Sequence, residues 1–182
     1  MTLGSKSLIY GGHCFLIHPF FVAKAWWRLY GFPWDPRLWV VFFLHDVGYL
    51  GKVDIDGQDG ESHPELGAKI AGFLFGPEWK DFCLRHSRSY SRKMRVAPSR
   101  LCYADKLSIA LTPWWIYLPM TRLTGEITEY IRRSKTAHYP SDAGKDNSHL
   151  KDDGSNARGW HEDMCKFLIE YVTREAQSCP QE

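Results

Sequence analysis

The sequence predicts an all-α protein. Apolar residues recur at helical spacing, Gly and Pro punctuate stretches of helix length, and no convincing pair of strand-like runs occurs. The 182 residues are 44% hydrophobic and 15% aromatic with 8 Trp, enough for one domain over 1–182 with an aromatic-rich core.

The first helix is expected over about 13–30, where Leu16, Phe20, Ala23 and Trp27 recur at helical spacing before Gly31-Phe32-Pro33 ends it. Asp35-Pro36 reads as an N-cap followed by proline at the first helical position, opening a second helix to about 46. That helix is apolar nearly all round, so a central position is expected. Residues 51–61 form a Gly- and Asp-rich loop. Its Asp54, Asp56 and Asp59 lack the spacing and the closing glutamate of a calcium loop.

"SHPE" at 62–65 reads as a capping box for a third helix to about 75, broken by Gly76-Pro77. A fourth helix is expected over about 78–87, a basic loop over 88–97 and a fifth helix over 98–111. The aromatic segment PWWIYLP runs from Pro113 to Pro119; it suits either core or a pocket wall. A further helix follows at about 124–134, then a polar loop at 136–157 and a last amphipathic helix at about 158–176 with Trp160, Met164, Phe167, Leu168 and Tyr171.

The net charge of +2 argues for neither duplex nucleic acid nor a membrane surface. The longest apolar run is far short of the roughly 20 residues that span a bilayer. No cleavable leader pattern opens the chain. The five cysteines (Cys14, Cys83, Cys102, Cys165 and Cys179) are scattered, with no C-x-x-C. Free thiols in a cytoplasmic protein are the expectation.

Polar residues with metal-binding chemistry interrupt the apolar helices. His18 lies in the first, His45-Asp46 ends the run Leu38 to Leu44, His63 begins the third, His86 ends the fourth, and Asp105 sits within the fifth. A single histidine in an apolar helix is most often a satisfied core residue. The carboxylates are harder to place. An ionised carboxylate among apolar neighbours costs several kcal/mol unless it is paired or metal-bound. Lys106 follows Asp105 but points about 100° away around the helix, which makes it a poor partner. Ligands converging from several helices are how helical proteins build interior metal sites. Imidazole with carboxylate suits Mn, Fe, Co, Ni or Zn.

The pattern His18, then His45-Asp46, then Asp105 resembles the HD-domain superfamily of metal-dependent phosphohydrolases. The likeness extends to "HPFFVAKA", "LHDVGYLGK", "HPELGAKIA" and "LCYADKLSIAL", covering roughly residues 13–112. Residues 113–182 read as a helical extension without family signal. The resemblance implies an HD-type helical bundle with a divalent cation (Mn, Co, Ni, Fe or Zn, with Mg also compatible) held by His18, His45, Asp46 and Asp105. It also implies hydrolysis of a small phosphorylated compound such as a nucleotide. His13 competes with His18 as first ligand; His18 has the better flanking sequence and lies 27 residues before His45, a usual separation in the family.

His63 and His86 fall where dinuclear members place ligands for a second ion and mononuclear members contact phosphate. One or two ions per chain are therefore expected, with Asp46, His63 and His86 as catalytic candidates. Tyr49 stands where several nucleotidases of the superfamily carry a water-activating glutamate; Asp54, Asp56, Asp59 and Glu61 are the nearby substitutes. "RHSRSYSRKMR" at 85–95 is either a solvated loop or a phosphate clamp. Arg88, Arg92, Lys52 and Lys106 are the substrate-binding candidates. Mixed-valent diiron oxygenases share the ligand order H, HD, H, H, D. A non-catalytic nucleotide-sensing module is the other alternative.

Overall fold

A computed structural model describes residues 1–55, 57, 59–135 and 156–178. Among them are ten α-helices and no strand: α1 Leu3–Tyr10, α2 His18–Tyr30, α3 Pro36–Leu44, α4 Pro64–Phe75, α5 Pro77–Leu84, α6 Arg88–Met94, α7 Arg100–Leu111, α8 Trp114–Thr124, α9 Glu126–Lys135 and α10 Ala157–Ser178. Short 3-10 turns occupy Val47–Tyr49 and Gly60–Ser62. The all-α prediction holds. No described helix is long and apolar enough to cross a membrane. Cys14, Cys83, Cys102 and Cys165 are free thiols. Cys179, Asp56 and the polar stretch predicted at 136–157, up to residue 155, lie outside the described residues.

Local chemistry sets most boundaries. Asp35 caps α3 as predicted, its carboxylate accepting the Arg37 backbone N–H at 2.9 Å. Gly31, Gly76 and Gly125 follow α2, α4 and α8 with φ of 90°, 103° and 86°. Ser87 caps α6 by accepting the Tyr90 N–H at 3.3 Å. The region expected to be a basic loop is therefore a short helix. The capping box at Ser62 does not form. Its hydroxyl instead accepts from Lys52 Nζ at 2.6 Å and donates to the Asp59 carbonyl at 3.0 Å, while α4 starts from His63 and Pro64. Helix α1 was not foreseen, because Leu3 to Tyr10 is short and only weakly patterned.

The inward face of α2 also differs from the expected phase. Leu16, Phe20 and Trp27 are 72%, 56% and 61% exposed, whereas His18, Val22, Ala25 and Trp26 are buried. Helical periodicity identified the helix but not its inward face, because apolar residues stand on both sides. The same holds for α3, which buries Leu38, Val41 and Phe42 but leaves Val40 exposed. It packs on α2 and α4, and is less central than its composition suggested.

The central packing is α2 on α7, with α10 on the same helix and α4 paired with α5. One core cluster joins Val22, Trp26, Phe42, Ala68, Leu101, Leu107 and Val172. A second joins Leu8, Tyr49, Ile55, Tyr117, Ile127 and Trp160. Helix α10 contributes to both, so the C-terminal segment completes the core.

Two glycines bring α4 against the His45-Asp46 corner. A Cβ on Gly48 would lie 1.9 Å from the His63 carbonyl oxygen, and one on Gly67 would lie 2.1 Å from the Leu44 carbonyl oxygen. Backbone cannot yield to such contacts. Gly48→Ala and Gly67→Ala are each expected to lower stability by about 1–3 kcal/mol in urea unfolding. Gly72→Ala, whose Cβ would lie 2.8 Å from Lys80 Cβ, is also expected to be destabilising, because a Cβ is fixed to its backbone and cannot swing aside.

Candidate metal centre

Helix ends deliver the donors. His18 is the first residue of α2, rather than lying within it. His45 caps the end of α3, and Asp46 opens the 3-10 turn that follows. His63 joins a 3-10 turn to α4, His86 lies just beyond α5, and Asp105 projects from the interior of α7. His18, His45, Asp46, His63 and His86 are buried. Asp105 is less deeply placed than its apolar neighbours implied, its side chain keeping 15% exposure.

Asp46 is the centre of the arrangement. Its Oδ2 lies 3.1 Å from His45 Nε2 and 3.4 Å from His18 Nε2. Its Oδ1 lies 3.6 Å from His86 Nε2 and 3.7 Å from His63 Nε2. Asp105 Oδ1 completes the first half, 3.0 Å from His18 Nε2 and 3.6 Å from His45 Nε2. Donor atoms of His18, His45, Asp46 and Asp105 lie within 4.8 Å of one another, as do those of Asp46, His63 and His86. All six residues singled out from the sequence therefore meet, in two groups that share Asp46.

The far side of each ring explains why Nε2 faces inward. The Nδ1 atoms of His45, His63 and His86 lie 2.9, 2.7 and 2.5 Å from the carbonyl oxygens of Phe42, Gly60 and Cys83, each three residues earlier. A carbonyl only accepts, so Nδ1 carries the proton and the neutral ring offers an Nε2 lone pair. His63 and His86 then present Nε2 to each other at 3.0 Å. Two lone pairs so close repel unless a positive charge lies near them. His45 Nε2 and Asp46 Oδ2, though 3.1 Å apart, are both buried without a well-aligned hydrogen bond. Inward lone pairs, two carboxylates and unsatisfied buried atoms fit a site that could hold a metal ion.

Without a cation, shared protons supply the positive charge that the two carboxylates require, and a metal ion would displace them. Burial works against ionising Asp46, yet the charge of His45 and the approach of His18, His45 and His86 hold its pKa well below the usual range. Burial likewise opposes ionising Asp105, and His18, His45 and Lys106 overcome it. The reciprocal effect appears at His45, where burial is outweighed by Asp46 and Asp105 and the pKa rises to about 10. At His63, burial and the like charge of His86 push it down to about 3.

The predicted substrate-binding residues are scattered. Lys106 Nζ lies 3.9 Å from Asp105 Oδ2, so it does reach its neighbour despite the angular offset on the helix. Its long side chain spans that angle, although the distance exceeds hydrogen-bond range. Lys52 binds Asp59 at 3.1 Å and Ser62, bracing the 51–62 loop. The Arg88 guanidinium lies over the Tyr171 ring at 4.5 Å. Arg92 is exposed on α6. From PWWIYLP, Tyr117 joins Gly12, Ile17, His18, Phe21, Thr112 and Met120 around a small cleft, while Trp114 and Trp115 are largely exposed.

Sequence reasoning missed the surroundings of the donors. Tyr49, noted only as a departure from a glutamate, stacks on His63 with ring centroids 4.2 Å apart and planes at 8°. Asp54 accepts the Gly57 N–H and Asp59 the Val53 N–H, so both carboxylates organise their own loop. His13, the rejected first ligand, belongs to neither donor group. It pairs with Ser7 and with the buried Glu126 of α9. No local signal linked Glu126 to His13, because the two are far apart in sequence.

Compared with protein-family models, with curated proteins and with solved structures, the chain gives no significant match.

Asp46→Ala and Asp105→Ala are each expected to abolish tight metal binding in elemental analysis of the purified protein, and His18→Ala likewise. His13→Ala is expected to retain it.

Burial lowers the pKa of His13, but Glu126 together with the charges of Asp46 and Asp105 raises it overall to about 9. A raised folded-state pKa stabilises the fold fully below the unfolded value near 6.5 and loses that contribution as pH rises through about 9. In metal-free protein, the urea-midpoint advantage of wild type over His13→Gln should shrink across that window. An advantage that is flat with pH would contradict the pairing.

Proposed function

We propose that this protein is a metal-dependent phosphohydrolase of the HD-domain type, acting on a nucleotide or another small phosphorylated compound. The observation that carries the reading is the shared Asp46, whose two oxygens face separate sets of imidazole nitrogens. His18, His45, Asp46 and Asp105 would hold one divalent cation. Asp46, His63 and His86 would hold a second, with Asp46 bridging. The nitrogen and oxygen donors suit Mn, Fe, Co, Ni or Zn more than Mg. When bound, such cations supply Lewis acidity toward phosphoryl oxygen and lower the pKa of water.

The protein's own groups prepare that chemistry. The carbonyls of Phe42, Gly60 and Cys83 hold three rings in one tautomer. Tyr49 fixes the plane of His63 by stacking. Lys106, beside Asp105, is the basic residue best supported as a contact to substrate phosphate. Arg88, Arg92 and Lys52 are more distant candidates, each with a structural or solvent-facing role of its own. A buried cluster of this kind suits neither a duplex nor a membrane surface.

The six donors meet in the order used by mixed-valent diiron oxygenases, so oxygen chemistry is the second reading. The deciding experiment is a phosphate-release screen over nucleotides and sugar phosphates with Mn-, Co-, Ni-, Fe- and Zn-loaded protein, beside oxygen uptake by iron-loaded protein. Phosphate release that needs no oxygen supports hydrolysis. Oxygen consumption without phosphate release overturns it. Unaltered compounds in both assays, with nucleotide binding retained, would indicate a sensing module. For an active substrate, Lys106→Ala is expected to raise KM at least tenfold with metal content unchanged, since a charge-assisted phosphate contact is worth about 1.5–3 kcal/mol.

A further inference from the structure

The outward face of α2 is apolar, charged and unused by the metal centre. At about 100° per residue, Phe20, Lys24, Trp27 and Arg28 fall within one arc of about 100° around the helix. All four are exposed, whereas His18, Val22, Ala25 and Trp26 lie buried on the opposite side. Ring contacts extend the face at both ends. Phe43 of α3 meets Phe20 and Phe15, with centroids 5.7 and 5.3 Å apart. Beyond the end of α2, Trp27 meets Phe32 at 5.5 Å and Phe32 meets Trp34 at 4.5 Å. Trp34, in the connection to α3, is 84% exposed. A contiguous exposed apolar surface of this kind marks an interaction site.

The polar side-chain atoms of this face are donors. Lys24 and Arg28 form no ion pair and no side-chain hydrogen bond among the described residues; Lys24 Nζ only approaches the Phe21 ring, at 6.0 Å. The indole N–H groups of Trp27 and Trp34 are also uncommitted there, whereas that of Trp39 donates to the Pro33 carbonyl at 3.0 Å. Residues 1–45 carry Lys6, Lys24, Arg28 and Arg37 against a single acidic residue, Asp35. Asp35 is spent on Arg37, 2.7 Å away. The whole-chain net charge of +2 conceals this local imbalance.

Those donors decide what the face fits. In a two-fold pairing with a second copy, two cations and two indole N–H groups from each chain would find no free acceptor on the other. A protein partner's surface ordinarily mixes donors with acceptors, and this face has no free acceptor to return. An anionic lipid surface offers phosphate and ester oxygens directly above an apolar layer. That matches rings carrying N–H groups, flanked by unpaired cations.

We propose that the outward face of α2, together with Phe32 and Trp34, docks peripherally on an anionic membrane surface, with Lys24 and Arg28 against lipid phosphate. No described helix crosses the bilayer in this arrangement. The docking face and the metal centre are separate, because His18 lies roughly 160° around α2 from Phe20.

The test is co-sedimentation of the full chain with vesicles of phosphatidylcholine alone and of phosphatidylcholine mixed with phosphatidylserine, beside sedimentation velocity of the protein without lipid. A monomer that binds the phosphatidylserine vesicles, and binds them at least about tenfold more tightly than the neutral ones, is expected. Lys24→Glu with Arg28→Glu, and separately Trp27→Ala with Trp34→Ala, should each weaken that binding about tenfold or more. All four side chains are exposed, so urea midpoints close to wild type are expected; the charge reversals remove no ring and keep the test independent of aromatic packing. Absence of binding to the phosphatidylserine vesicles would overturn the proposal and leave the face to a protein partner. Equal affinity for both vesicle types, or binding that neither double variant alters, would overturn it as well. So would a dimer that dissociates in the Trp27→Ala, Trp34→Ala variant, which would assign the face to a second copy.

Discussion

The Asp46 carboxylate is the constraint on which the rest depends. It is buried, and each of its oxygens faces two imidazole nitrogens rather than water. A buried carboxylate is tolerated only if positive charge or hydrogen bonds compensate it. Here compensation comes from rings on α2, α3 and the ends of α4 and α5, so several elements must meet at one point. The close packing of α2 on α7 brings His18 to Asp105. The missing side chains at Gly48 and Gly67 let the α4 start close on the α3 end. Fold and site are therefore one problem: the glycines and the small core residues Ala25, Ala68, Ala71 and Ala104 permit the approach that the carboxylates require.

Placing donors at helix ends has a chemical consequence. A ring at a helix terminus finds a carbonyl from the preceding turn within reach of Nδ1, as at Phe42–His45, Gly60–His63 and Cys83–His86. The backbone thus selects the tautomer without an extra carboxylate behind each histidine. It also fixes ring direction, so Nε2 points to Asp46. Of the two remaining donors, His18 opens α2 and Asp105 lies mid-helix in α7, beside the core residues Leu101, Ala104 and Leu107.

Tyr49 and His13 form a wall between this cluster and the second core cluster. Tyr49 belongs to that cluster and stacks on His63, and His13 leans on Tyr49. Through Ser7 and Glu126, the same wall is tied to α1 and α9. Residues beyond the motif-bearing segment therefore support the side chains that surround the donors. The C-terminal third belongs to the architecture of the site, whatever chemistry runs there.

Much of this was legible in the chain itself. Helical spacing, proline starts and glycine stops determined the class and most element boundaries, because these are local properties of backbone and side chain. The six donors were also readable, since a carboxylate among apolar residues has few physical solutions and each such residue marked its own position. What remained hidden was relational. The inward faces of α2 and α3 could not be chosen from segments apolar on more than one side, so Phe20 and Trp27 proved exposed while Trp26 is buried. The Ser62 capping box lost to Lys52, a competitor outside the four-residue pattern. Only the tertiary structure decided that both oxygens of Asp46 are shared, that Tyr49 stacks on His63, and that Glu126 reaches back across the chain to His13. Those outcomes depend on which surfaces of distant segments meet, and close packing settles that for the whole chain at once.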